Sequence, residues 1–143
     1  MHKIDRTSYG VYIILKGPME VADFGSYIAD LEAVLKTING PYSAIIDARE
    51  GIPSKPEVLE LFHGQLAGTK STPLQRLAIL AKSPVIKNQI IQLAFRSETS
   101  ETIRFFDTTK VPDWERQSLE WVSRGIEPDY EPAPTDKMKI RQR

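Results

Sequence analysis

Pro41-Tyr42-Ser43-Ala44-Ile45-Ile46-Asp47-Ala48-Arg49-Glu50-Gly51-Ile52-Pro53-Ser54-Lys55-Pro56-Glu57 decides the fold, because it reads as a buried strand running through a turn into a helix. Tyr42 to Asp47 has no polar alternation, the pattern of a strand covered on both faces in a parallel sheet. The loop from Asp47 to Ser54 then lies where a strand ends and a helix begins, the usual ligand position in open α/β sheets. Val58, Leu59, Leu61 and Phe62 continue the helix, expected from about Ser54 to Ala67. Ser54 opens Ser-Lys-Pro-Glu, the capping-box spacing in which the serine oxygen accepts from the Glu57 backbone N–H and the Glu57 carboxylate reaches back.

Outward from this core the same grammar repeats. Toward the N-terminus, Ile4 to Thr7 and Val11 to Lys16 are extended stretches joined by Ser8-Tyr9-Gly10, a β-hairpin. Phe24, Ile28, Leu31, Leu35 and Ile38 follow at spacings of four and three, an amphipathic helix that Asn39-Gly40-Pro41 stops. Toward the C-terminus, Leu77 to Ala81 is a second buried apolar strand, and Ser83-Pro84 caps a helix whose stripe is Ile86, Ile90, Leu93 and Ala94. Thr102 to Phe106 is another strand, ended by Asp107-Thr108-Thr109, and Pro112 to Ser123 is the last helix before Gly125. The sequence therefore predicts an α/β domain over residues 1–124: an N-terminal hairpin, then alternating helices and strands in a mainly parallel sheet of about five strands with four main helices. Residues 125–143, rich in proline and charge, are expected to be an extended or disordered tail.

Composition excludes several functions. The chain has 143 residues and no cysteine, so disulfides and thiolate chemistry are absent, in keeping with a reducing cytoplasm. Its 19 basic and 19 acidic residues cancel, leaving no overall charge for nucleic acid or an anionic membrane. Charge in Met1 to Arg6 argues against a signal peptide, and no apolar run approaches the ~18 to 20 residues of a membrane span. A soluble cytoplasmic protein is expected, and Lys137, Lys139, Arg141 and Arg143 read as a solvated end.

Few residues carry chemistry. Asp47 and Asp107 end strands, where paired carboxylates can hold Mg²⁺ but where Asp also makes turns, the better reading. Arg49 can clamp an anion or pair with Glu50 or Asp47, and pairing is the simpler use. His63 and His2 lack the spacing of a zinc site. A Ser54, His63, Asp47 triad can be written, but no G-x-S-x-G elbow supports hydrolase chemistry. Phosphate loops are absent, and no cofactor or metal is expected. Trp114, Trp121, Phe95, Phe105 and Phe106 are expected in the core.

The succession Val11-Tyr12-Ile13-Ile14-Leu15-Lys16-Gly17, the long helix, Ala44-Ile45-Ile46-Asp47-Ala48-Arg49, Arg76-Leu77-Ala78-Ile79-Leu80, Arg104-Phe105-Phe106-Asp107 and Trp121 resembles the STAS-like group, related to anti-sigma-factor antagonists and the cytosolic parts of sulfate transporters. The resemblance spans roughly residues 3–124 and implies a non-enzymatic regulatory or protein-interaction domain that presents the loop 48–54 and the helix after it to a partner protein. In the antagonist branch a hydroxyl at the start of this helix is phosphorylated by a partner kinase. Ser54 is the hydroxyl at that place here, while the usual Asp-Ser-Ser-Gly signature is replaced by Asp47-Ala48-Arg49-Glu50-Gly51-Ile52-Pro53. Asp47, Arg49, Glu50 and Ser54 are thus the interaction or switch candidates. The group's likeness in fold to CRAL-TRIO lipid-binding domains implies an alternative, a carrier of a small apolar or acyl ligand, with Leu59, Phe62, Ile90 and Phe95 as walls. A sheet wound in chain order leaves part of one face open, which a homodimer or the tail would cover.

Overall fold

In the computed structural model the described residues are 1–129, so the expected tail lies outside them except for its first five residues. Five strands, β1 (His2–Arg6), β2 (Gly10–Leu15), β3 (Tyr42–Asp47), β4 (Leu74–Ala81) and β5 (Ile103–Asp107), form one sheet in chain order. β1 runs antiparallel to β2, with Ile4 opposite Ile13, and every later pair is parallel. Four α-helices join or follow them: α1 (Val21–Leu35), α2 (Pro56–Gly68), α3 (Pro84–Arg96) and α4 (Trp114–Arg124). The expected architecture is the one observed.

Strands in chain order with crossovers of one hand place α1, α2 and α3 on a single face. Alternation within each strand sorts its side chains accordingly. Val11, Ile13, Ala44, Leu77, Ile79 and Ile103 pack under the three helices, against Phe24, Tyr27, Leu66 and Leu93. Ile45, Ala78, Leu80 and Phe106 point the other way and are covered by Trp121 and Val122 of α4. Two polar aromatic groups are satisfied in these cores, as burial demands. The Tyr27 hydroxyl accepts from Gln65 Nε2 at 3.0 Å, and Trp121 Nε1 donates to the Leu77 carbonyl at 3.2 Å. Phe24 and Phe62 meet edge to face at 5.0 Å between centroids, tying α1 to α2.

The helix ends repay separate reading. Ser83 caps α3 as expected, its Oγ accepting from Ile86 N at 3.4 Å with Pro84 in the first turn. Gly125 closes α4 with φ +68° and donates its N–H to the Trp121 carbonyl at 3.0 Å, a left-handed cap that favours glycine. The capping box expected at Ser54 is not there. α2 starts at Pro56 with Lys55 as its N-cap, and the Ser54 side chain caps nothing. Pro56 fits the first helical position, where its missing N–H costs nothing, and that shifts the start beyond the serine. β4 begins three residues before Leu77, because Leu74-Gln75-Arg76 alternates in exposure and escapes a search for an unbroken apolar run.

Phe95 corrects a second expectation. It lies on the outer side of α3 and is 57 % exposed, so it is neither core nor pocket wall. Phe106 and Trp121 are buried, while Trp114 and Phe105 are half-buried.

Candidate functional site

The carboxyl end of β3 divides two environments. Asp47, 5 % exposed, points to the α4 side, and its Oδ2 accepts from the Tyr12 hydroxyl at 2.8 Å. Arg49 turns back onto the same carboxylate: Nε donates to Oδ1 at 2.9 Å, Nη2 to Oδ2 at 2.8 Å, and the Arg49 backbone N–H to Oδ1 at 3.1 Å. The guanidinium is also stacked 4.4 Å from the centre of the Trp114 ring, at the start of α4. Burial by itself raises the Asp47 carboxyl, but the bonds from Arg49 and Tyr12 outweigh it and hold the group below its usual range. Tyr12 is pushed strongly upward, by burial first and then by the neighbouring carboxylate, so it stays a neutral donor.

This cluster spends its chemistry on itself. The carboxylate accepts four hydrogen bonds, a bidentate pair included, and Arg49 is engaged rather than free to clamp an anion. Asp107, the other strand-end carboxylate, makes a local turn by accepting from Thr109 N at 3.0 Å and Thr109 Oγ1 at 2.6 Å. β4 stands between β3 and β5, which separates the two carboxylates. The triad that can be written from Ser54, His63 and Asp47 is also split: Asp47 is committed on the α4 side, while His63 belongs to α2 on the opposite face.

Beyond Asp47 the chain forms a strap across the strand ends. Gly51 N donates to Ala48 O at 3.1 Å, making the turn, and Gly17 N donates to Glu50 O at 2.9 Å, an isolated bridge to the end of β2. Gln89 of α3 holds the far side, its Oε1 accepting from Ser54 N and its Nε2 donating to Ser54 O, both at 3.2 Å. Surface ion pairs flank these ties, Lys16 with Glu50 at 3.1 Å and Lys55 with Glu20 at 3.2 Å. The strap so fixed carries Ile52 with 51 % of its surface exposed. Val21 and Val85, at the starts of α1 and α3 on the same end of the sheet, are 52 % and 54 % exposed.

Under the strap lies a pocket of about 90 Å³ between the sheet, α2 and α3. Leu59, Phe62 and Ile90 line it, and Phe95 does not. Tyr12 and Gln89, the residues that fix the strap's two roots, carry no signal in the sequence: one is a strand tyrosine, the other a mid-helix amide. Among the described residues no group of three or more His, Asp or Glu stands ready for a metal, and no helix is long and apolar enough to cross a membrane.

No family model matches the chain, and no curated protein matches it. Among solved structures it is similar to an uncharacterized protein from the DUF3478 family with a SpoIIAA-like fold, from Shewanella loihica PV-4, at 19 % identity and a TM-score of 0.59. The match covers 85 % of this chain and 92 % of that one. Sheet order, helix placement and this likeness agree that the chain has a SpoIIAA-like fold, the fold that its resemblance to the STAS-like group implies.

Proposed function

We propose that this is a non-enzymatic, cytoplasmic regulatory domain of STAS-like type that presents the loop 48–54 and α2 to a protein partner. The observation that carries the reading is the strap: it is tied at both roots to the fold and holds Ile52 out to solvent. An ordered loop with an exposed aliphatic tip binds without a large ordering cost, which is what distinguishes a contact surface from a mere connection. Val21 and Val85 add exposed apolar surface at the same end of the sheet, and the Lys16–Glu50 and Lys55–Glu20 pairs add charge there, the mix of apolar and polar surface usual in a non-obligate interface. The test is crosslinking in extracts of the source cell with wild type, Ile52→Asp and Glu50→Lys. A partner held by the wild type and lost from Ile52→Asp supports the reading; the same set of proteins held by all three defeats it. Turnover on ester or phosphoester substrates, abolished by Ser54→Ala, would establish the hydrolase reading in its place.

Self-association belongs to the same proposal. α4 covers β3, β4 and β5, while Tyr12 and Ile14 of β2 stay half-buried beside Lys3 and Asp5 of β1. A second copy of the chain would cover that strip, and light scattering that gives a strict monomer removes the homodimer.

The second reading, a carrier of a small apolar or acyl ligand, is favoured by the pocket under the strap. Size decides its rank. Sites that enclose a whole drug-sized ligand start at roughly 300 Å³, and this one holds about 90 Å³. It has room for part of a ligand, so the carrier stands behind the interaction domain.

A further inference from the structure

The pocket under the strap is walled by Leu59 and Phe62 of α2 and Ile86 and Ile90 of α3, over Ile46 and Ile79 of the sheet. We propose that it is a binding site for the end of an unbranched aliphatic chain, and that Gln89 latches the strap closed over it. The proposal rests on the ligand reading above and narrows it from a carried molecule to a chain end of a few carbons.

Three observations carry it. The first is the state of the polar side chains in the lining. Gln89 is used by both backbone groups of Ser54, Gln65 donates to the Tyr27 hydroxyl, and Lys16 pairs with Glu50, while the Ser54 hydroxyl is the lining's uncommitted polar side-chain group. A well-held water needs about two to four polar partners, and one hydroxyl does not supply them, so the mostly aliphatic lining favours apolar guests. The second is size. An aliphatic cavity of about 150 Å³ accepts benzene, and at about 90 Å³ this one suits a slimmer guest, an unbranched chain.

The third is Gly51. Its φ lies outside the left-handed region, so its conformation does not call for glycine. A Cβ there would press on the strap's own Ala48 carbonyl at 3.2 Å and touch Ile86 Cδ1 of α3 at 3.6 Å, an ordinary contact. The turn's own carbonyl accounts for the glycine, and the contact with Ile86 shows how closely the strap lies on α3. The reciprocal amide pair to Gln89 holds the strap down on one side of the pocket, and a chain enters faster when that pair opens. Gln89 is thus a positioning residue for the strap, read in exchange rates more than in affinity.

The experiment is titration of the methyl-labelled full chain with 1-butanol, 1-pentanol and 1-hexanol, with benzyl alcohol as the ring control. Saturable shifts of the Ile46, Leu59 and Ile90 methyls are expected, with affinity rising about fourfold per added CH₂, the value of burying one methylene. Leu59→Phe and Ile90→Phe, each confirmed folded by circular dichroism, fill the space and should abolish the shifts. Gln89→Ala should raise association and dissociation rates together by at least several-fold. Absence of saturable shifts, shifts that survive in both filled variants, indifference to chain length, or benzyl alcohol binding as tightly as 1-hexanol would each overturn the site. Unchanged exchange in Gln89→Ala would overturn the latch. Native mass spectrometry of protein purified from its own cell reports a larger carried ligand whether or not short alcohols bind, so the two readings fail separately.

Discussion

Replacing Asp47 by alanine is expected to cost about 3 kcal/mol, in the lower part of the range for breaking a buried ion pair. Asp47 is 5 % exposed, while its partner Arg49 keeps 32 % of its side-chain surface, so water compensates part of what the guanidinium loses and keeps the figure from the top of that range. Tyr12 loses its acceptor as well, and leaving that half-buried hydroxyl unpaired costs about 1 to 3 kcal/mol by itself. For a domain of this size, 3 kcal/mol corresponds to roughly 10 °C in Tm. Urea unfolding followed by tryptophan fluorescence measures it, and Trp114, stacked under Arg49, should report the local change as well. Tyr12→Phe isolates one bond and should cost about 1.5 kcal/mol. The Asp47→Ala, Arg49→Ala cycle should show a coupling of about 2 kcal/mol. A loss below about 1 kcal/mol for Asp47→Ala, the value of an exposed surface pair, would refute the view that this cluster clasps the strap to the fold.

The same network sets a pH dependence. Asp47 has a folded-state pKa below its unfolded value, so its contribution is complete above about pH 4 and is lost as pH falls through the folded value; acid titration of Asp47→Asn should lack that component. Ser54→Ala should change stability by less than about 0.5 kcal/mol, whereas Ser83→Ala, which removes a real cap, should cost about 0.5 to 1 kcal/mol, both read by urea midpoint. Gly10→Ala should unfold the chain or cost more than about 4 kcal/mol, because a Cβ there would lie 2.0 Å from the Ser43 carbonyl oxygen at φ +148°; soluble expression and circular dichroism check it.

The layers of this fold are legible in residue order, and the site is much less so. Unbroken apolar runs at Tyr42 to Asp47 and Leu77 to Ala81 announce strands covered on both faces, and the covering helices are found there. That Arg49 pairs with a neighbouring carboxylate is legible too, though residue order leaves Asp47 and Glu50 equally open and the structure selects Asp47. What residue order hides is contact at long range. Gln89 meets Ser54 across 35 positions, and Tyr12 meets Asp47 across another 35. Neither contact leaves a local pattern. Phe95 failed for the opposite reason: its apolar character was read as burial, though single exposed apolar residues are ordinary on protein surfaces.

These placements change which substitution probes the partner surface. Charge reversal at Arg49 is the obvious first test, since Arg49 sits in the candidate loop. Yet it would remove both side-chain bonds to Asp47 and the stacking on Trp114, and would place a second negative charge beside a buried carboxylate. Any lost binding would then be inseparable from a strap released from its root. Ile52 makes none of these bonds: half its surface faces solvent, its other side lines the pocket, and the ties that hold the strap run through the Glu50 and Ser54 backbone. Ile52→Asp therefore alters the presented surface while leaving the clasp intact, and unchanged urea stability beside lost partner binding is the combination that assigns the effect to contact. If Ile52→Asp instead lowers stability by more than about 1 kcal/mol, beyond the ordinary range for surface substitutions, the inward side that lines the pocket outweighs the exposed one and the tip is structural.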